Sequence, residues 1–477
     1  MSEDQIERVH EATLGLLENT GVKVGNIDGI AIMEAAGCTV VNENIVKIPR
    51  ELVEQAIESA PSRIDVYNRD GDVAMVLEGR NNYFGLGTDL PTTYDLDTGM
   101  VRKSLLQDVI NAARVTDKCE NVDFVASFAL PCDVSPNAMY VECFKAMIEN
   151  TTKPIFFTAA GKDDLAYIIQ MASAVAGGDD TLREKPFLIQ YSEPVAPLTH
   201  STGAVDKLLS CAGHGVPICY IPTVLLGASG PVTLAGGITQ ANAEALSGIV
   251  LHQLKAPGAP IISGWAVVPL DMKSMTYCYG SPEVRLTNTA FADIYHHYEI
   301  PCWGIVGTDS HLLDQQAAME HAFAELLAAM DGANLIHDIG YLGQGLLGNP
   351  ASIVMCDEMI SFIKRFMRGF EISDETMALD LINKNSPLET KQCNFLAEKH
   401  TLSHFRTEIW RPMYANRDTP DTWRKKGELS YGDKVVAKAK DIIASHVPAP
   451  MDSAVLEQLA AIIQEARDAF EGKSFSA

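Results

Sequence analysis

The amino-acid sequence predicts an α/β protein built on a (β/α)8 (TIM) barrel, with a mixed α+β region before it and a helical extension after it. Three observations lead there. Short apolar runs alternate with helical stretches over roughly 250 residues, the span such a barrel needs. The stretch Pro301 to Gly348 reads as one complete βαβ unit. In it, Cys302 to Val306 is a strand, and Met319, Phe323, Leu326, Leu327 and Met330 recur at helical spacing. Gly332 ends that helix and Asn334 to His337 is the next strand. Finally, polar and aromatic residues gather where the strands end, the edge at which parallel α/β folds place their chemistry.

Taken in order, residues 1–110 form the α+β entry region. Ser2 and Gln5 make a capping box for a helix that buries Ile6, Val9, Thr13, Leu16 and Leu17 and stops at Gly21. A second helix starts near Pro49 and turns Leu52, Val53, Ala56 and Ile57 to one side. Strand-like runs follow at Ile64 to Tyr67, Val73 to Leu77 and Asn82 to Phe84, then a hairpin turning at Asp97-Thr98-Gly99. Residues 111–350 form the barrel. Its eight strands are expected at Val122 to Ala126, Pro154 to Thr158, Phe187 to Tyr191, Pro217 to Ile221, Pro260 to Gly264, Ser274 to Cys278, Cys302 to Val306 and Asn334 to His337. Asp163 to Val175 and Ala235 to Leu254 are among the helices between them. Residues 351–477 are the helical extension, packed on the barrel or on another subunit. It begins with Ala351 to Phe370 and closes with a helix carrying Val455, Leu459, Ile462, Ile463, Ala466 and Phe470.

Composition bounds the function. Of 477 residues, 47% are hydrophobic and 21% charged, the balance of an ordinary globular protein. No apolar run is long enough for a membrane span, and the acidic start Met1-Ser2-Glu3-Asp4 does not read as a signal peptide. The 62 acidic against 37 basic residues give a net charge of −25, which argues against nucleic acid and against anionic membranes. A cytoplasmic homo-oligomer is expected. The ten cysteines, among them Cys393, are scattered without a CxxC and are expected to be reduced.

Most motifs have a plain structural reading. Asp309-Ser310-His311-Leu312-Leu313-Asp314 approaches the DxHxxG pattern that ligates cobalt in cobalamin-binding domains, but its last position is Asp. A helix start with Asp309 or Asp314 near its positive end explains it better, and no metal is expected. Cys211, His214 and Cys219 would point in different directions along a helix end and a strand, so they make a poor zinc site. No GxGxxG follows a strand, and neither a Walker A motif nor GxSxG occurs. Lys153 and Lys185 precede their strands, the wrong end for a Schiff base, although Gly343 and Gly345 lie where a phosphate loop would.

The strand-end aromatics carry more. Phe156 or Phe157, Tyr191, Tyr220, Trp265, Tyr277 or Tyr279, Trp303 and Tyr341 lie near those ends, with carboxylates at Glu193 and Asp309. For any one ring, core packing is the better reading. Together, rings and acids at a barrel mouth form the kind of box that holds a quaternary ammonium.

Several stretches resemble the trimethylamine methyltransferase (MttB) superfamily: Gly99-Met100-Val101-Arg102, Tyr279-Gly280-Ser281-Pro282-Glu283, Gly304 to Ser310, Asp314 to Glu320 and Gly332 to His337. The resemblance implies a (β/α)8 barrel. The trimethylamine enzyme carries pyrrolysine near the end of its last barrel strand, whereas this chain has only standard residues there, roughly Gly340 to Gly348. It therefore resembles more closely the members without pyrrolysine, which move a methyl group from betaines or carnitine to the Co(I) of a separate corrinoid protein. The implied cofactor is the corrinoid of that partner, and none is held tightly by the chain itself. On this reading Asp309 and His337 are the catalytic candidates. Asp309 attracts the ammonium, and His337 contacts a substrate carboxylate or orders the glycine-rich loop. His311, His200 and Arg285 are further candidates for that anion contact. Trp303, Tyr341, Tyr191, Glu193, Tyr220, Trp265 and Tyr279 are the substrate-binding candidates. The competing readings are a different barrel enzyme acting on a small metabolite, and a non-catalytic quaternary-amine-binding protein.

Overall fold

Parallel pairing of short apolar strands organises the chain. The computed structural model describes residues 1–386, 388–389 and 394–471. Ile155–Phe157, Leu188–Ser192, Ile218–Tyr220 and Ile261–Ser263 form one parallel sheet. Trp303–Ile305, Leu335–Ile339 and Tyr83–Leu86 form a second. Parallel bridges link the two sheets on both sides: Ser263 to Cys302 directly, and Gly85 to Phe124 with Val125 to Ile155 through the segment 124–125. These strands are buried on both faces, so their sequences are almost continuously apolar.

Two expectations about strands are corrected. Ser274 to Cys278 is not a parallel strand. Thr276–Tyr277 folds back antiparallel on Leu270–Asp271. Asp271 makes that turn, accepting from Lys273 N at 2.8 Å and Ser274 Oγ at 2.9 Å. Conversely, Tyr83–Leu86, expected within the entry region, pairs with the strand that ends at the site. Its backbone is held from the next segment, where Phe84 N donates to Asp123 Oδ2 at 2.8 Å. That next segment is steered by a half-buried lysine: Lys153 Nζ donates to the carbonyls of Thr116, Cys119 and Val122.

The helices follow the reading closely: Glu3–Asn19 with its Ser2–Gln5 capping box, Arg50–Ser59, Lys162–Ala176, Leu234–Lys255, Gln315–Asp331, Pro350–Met367 and Ser453–Phe470. In Gln315–Asp331 the buried face is a surprise. Met319, Phe323 and Met330 are exposed, while Ala317, His321, Ala324, Glu325, Ala328 and Ala329 face inward. The reason is distance. A Cβ on Gly304 would lie 2.9 Å from Ala333 Cβ and 3.7 Å from Ala328 Cβ, so helix and strand approach as only small residues permit.

The closing helices lie on the parallel core, with His446 Nε2 2.7 Å from Asp117 Oδ2 and Ser453–Phe470 packed on Lys162–Ala176. Nine cysteines are free thiols; Cys393 lies outside the described residues. No helix among the described residues is long and apolar enough to cross a membrane.

The junction at 124–125 can be tested. A Cβ on Gly85 would sit 2.2 Å from the Phe124 ring. Gly85→Ala should therefore cost about 1–3 kcal/mol of stability through overpacking. Urea unfolding followed by circular dichroism measures it, and a loss under about 0.5 kcal/mol would mean that the Phe124 ring does not lock this junction.

Candidate functional site

Two strands continue past the ends of their sheet. After Ile218–Tyr220 the chain runs on as Thr223–Leu226, and after Ile261–Ser263 as Ala266–Asp271. These extensions pair in parallel and, with the Thr276–Tyr277 return, raise a wall above the sheet ends. Leu335–Ile339 ends differently. Its register with Tyr83–Leu86 shifts between Ile336 and Ile339, and Asp338 takes φ +77°. A left-handed non-glycine residue costs about 1–3 kcal/mol and is commonest at functional sites. The twist lets His337 and Asp338, neighbours that a regular strand would send to opposite faces, line the same cavity of about 300 Å³. Gly87 makes room for this turn, since a Cβ there would lie 2.3 Å from Asp338 Oδ1 and 2.2 Å from the Tyr341 ring.

The cavity is walled by rings. His337 stacks on Tyr191 at 5.4 Å and 29°, and lies 4.7 Å from Phe156, 5.7 Å from Trp303 and 6.3 Å from Tyr341, centre to centre. Tyr277 and Tyr279 complete the lining, 5.7 Å apart. Glu193 and Asp338 supply carboxylates. The Tyr191 hydroxyl donates to Glu193, the Tyr279 hydroxyl to Asp338 Oδ2 at 3.5 Å, and the Tyr341 hydroxyl to the Thr88 carbonyl. His337 Nδ1 stands 2.7 Å from Asp338 Oδ1, an ion-pair distance without hydrogen-bond alignment.

Glu193 is open to the cavity yet set deep among protein atoms. Poor solvation raises its pKa, the Tyr191 hydroxyl works against this, and the Asp338 carboxylate adds to it. Desolvation also raises the hydroxyls of Tyr191, Tyr279 and Tyr341, which stay neutral donors.

Of the residues expected at the site, Trp303, His337, Tyr341, Tyr191, Glu193 and Tyr279 line the cavity together. Three others are placed elsewhere. Asp309 accepts from Tyr279 N at 2.7 Å and Gly280 N at 3.2 Å, so both oxygens are occupied in fixing the loop that carries Tyr279. Its pKa is raised by desolvation against those two bonds. Tyr220 is buried, its hydroxyl 2.7 Å from His200 Nδ1. Trp265 packs edge-on against Phe291 and Tyr295. The anion-contact candidates other than His337 also lie away: His311 is exposed, burial holds His200 near pKa 4, and Arg285 donates to the Ile305 and Tyr279 carbonyls. Asp314 caps the helix Gln315–Asp331 through Ala317 N at 3.1 Å.

Asp338, Thr88, Thr223 and Gln344 also line the cavity and were not foreseen. For Asp338 the one available signal was Asp338-Ile339-Gly340, an acid just before a glycine at a strand end. Behind the wall, His321 Nε2 meets the Tyr341 carbonyl at 2.9 Å and its Nδ1 lies 3.4 Å from Glu325 Oε1. With Cys356 these two form the one group of three side chains, among the described residues, close enough to share a metal ion.

The family model for trimethylamine methyltransferase (MTTB) matches residues 1–470. The trimethylamine methyltransferase MttB of Desulfitobacterium hafniense is 32% identical over 98% of this chain and 94% of its own length. A glycine betaine methyltransferase of the same species is 29% identical over 98% and 96%. The MttB of Methanosarcina barkeri is 30% identical over 98% and 95%. Among solved structures, the monomethylamine methyltransferase MtmB of Methanosarcina barkeri shares the fold, with a TM-score of 0.51 at 12% identity over 100% of this chain and 89% of that one. A family match over residues 1–470 and a relative 32% identical over 98% of the chain agree: the chain belongs to the trimethylamine methyltransferase (MTTB) family.

Proposed function

We propose that the cavity binds a quaternary amine and presents one of its methyl groups to the Co(I) of a separate corrinoid protein. In the same reading the eight parallel segments from Tyr83 to Ile339 are a (β/α)8 barrel whose carboxyl-end mouth is the active site. The observation that carries the proposal is the lining itself: five rings, Tyr191, Tyr277, Tyr279, Trp303 and Tyr341, with two carboxylates, Glu193 and Asp338, in one small space. Ring faces and carboxylates both attract a cation that offers no hydrogen bond. Membership of a family that includes a glycine betaine methyltransferase supports the same substrate class.

The chemistry asks little of acids and bases. The bond from nitrogen to the methyl carbon breaks with its electron pair staying on nitrogen, and the amine leaves neutral, so no proton is needed. The partner's corrinoid supplies the electron pair for the new bond to carbon. The residues of this chain hold the cation, exclude water and aim the methyl outward, in line with the bond that breaks. The positive charge fades from the nitrogen as reaction proceeds. Diffuse ring contacts suit this better than a tight ion pair, which would stabilise the substrate more than the transition state. His337, clamped between Tyr191, Phe156 and Trp303, sets the spacing of the rings rather than moving a proton.

Three outcomes are expected. Tyr277 sits on the exposed hairpin, so Tyr277→Leu should weaken capture of the cation by about three- to thirtyfold with little change in melting temperature. Loss of activity only in step with stability would remove Tyr277 from the site. Trimethylamine should be inactive, because this lining has no group to activate a tertiary amine. Transfer from trimethylamine at the rate seen with a quaternary amine would falsify the mechanism. Lastly, Glu193 has a pKa raised above its ordinary 4.5. The carboxylate form is lost as pH falls through that raised value, so capture should strengthen with rising pH above 4.5. A titration of cation binding in wild type and Glu193→Gln measures this. An acid limb that persists unchanged in the variant assigns it to another group.

A further inference from the structure

The cavity carries fixed charge of one sign. Glu193 and Asp338 are its acids, and the other polar groups on its surface, the hydroxyls of Thr88, Thr223 and Tyr277 and the amide of Gln344, are neutral. Among the described residues, none that lines it is Lys or Arg. Two cations act on the site from outside its lining, and each is already engaged. Lys207, which stands in the field of Glu193, donates to the Ala159 carbonyl at 3.0 Å. Arg285 donates to the carbonyls of Ile305 and Tyr279 at 2.6 and 3.2 Å. His337 is the remaining basic group. Its Nδ1 lies 2.7 Å from Asp338 Oδ1, so an acid already stands beside it.

Three of the four tyrosine hydroxyls are committed as well. Tyr191 gives its hydrogen to Glu193, Tyr279 to Asp338 and Tyr341 to the Thr88 carbonyl. A substrate carboxylate could still bond Trp303 Nε1, which has no partner among the described residues, but it would enter a space of about 300 Å³ beside two like charges with no Lys or Arg in the lining to offset them. A hydroxyl tail meets no such repulsion, and the side chains of Thr223 and Gln344 can bond it in either sense.

We infer that this site selects a quaternary ammonium with an uncharged, hydroxyl-bearing tail and discriminates against zwitterionic betaines, whose carboxylate lies close to the ammonium. The inference rests on the proposed function for the reaction, but its recognition step can be measured alone. Choline and glycine betaine are the probes. Binding is measured by calorimetry, and methyl transfer by the visible spectrum of a reduced corrinoid protein from the same source. Choline should bind at least about tenfold more tightly than glycine betaine and show the same preference in kcat/KM. Glu193→Gln should weaken choline and strengthen glycine betaine, narrowing the gap at least threefold. Thr223→Lys, which adds a cation without removing an acid, should also improve glycine betaine and keeps the test alive if Glu193→Gln does not fold. Equal or better binding of glycine betaine by the wild-type protein overturns the inference while leaving methyl transfer intact. Choline that binds tightly yet gives up no methyl group supports the recognition and sinks the reaction. Binding of neither probe overturns both.

Discussion

The site depends on how one strand ends. Leu335–Ile339 has a parallel neighbour on each side, Trp303–Ile305 and Tyr83–Leu86, and its middle is fixed by their hydrogen bonds. The register shift and the left-handed backbone at Asp338 let two adjacent residues line one cavity. The strain is tolerable because both neighbours are locked and because Gly87 leaves space beside it. Tyr341 follows three residues later, held through its hydroxyl to the Thr88 carbonyl and through its own carbonyl to His321. Without that turn, a regular strand would send Asp338 away from His337 and leave Glu193 as the acid in the lining.

Electrostatics and packing support each other around this turn. Poor solvation raises the pKa of Glu193 and of the tyrosine hydroxyls, and each tyrosine then serves as a neutral donor to an acceptor it faces. An aromatic face attracts a cation through its quadrupole. Asp309 does its work one step back. By accepting from two successive amides it holds the loop from which Tyr279 reaches into the cavity. That carboxylate is thus spent on backbone, while Glu193 and Asp338 are the carboxylates that line the cavity.

The helix Gln315–Asp331 shows a second constraint. Its apolar stripe at Met319, Phe323 and Met330 is exposed, and its alanine face meets the sheet at Gly304. Close approach favours small side chains on the inner face, and the bulky residues are left outside. The buried His321 and Glu325 on that inner face connect the helix to the Tyr341 carbonyl, so the packing of the layer behind the sheet reaches the wall of the cavity.

The sequence by itself determined the elements that depend on local periodicity: the capped helices, the apolar parallel strands, the glycine that ends Gln315–Asp331 and the hairpin at Thr92–Lys103. It also placed rings and acids near the ends of apolar runs, the edge where ligands bind in parallel folds. Only the tertiary structure decided which of those rings meet. Trp265 and Trp303 both belong to strand ends, yet one packs under a helix and the other faces the cavity. Tyr83–Leu86 was legible as a strand but not as a neighbour of Leu335–Ile339, since pairing across some 250 residues leaves no local trace. Ser274 to Cys278 had the composition of a strand, but the turn at Asp271 sent it back antiparallel. Asp338 was hidden for the strongest reason. Alternation along a regular strand points it away from His337, and only the long-range contacts that twist its backbone bring both to the same side.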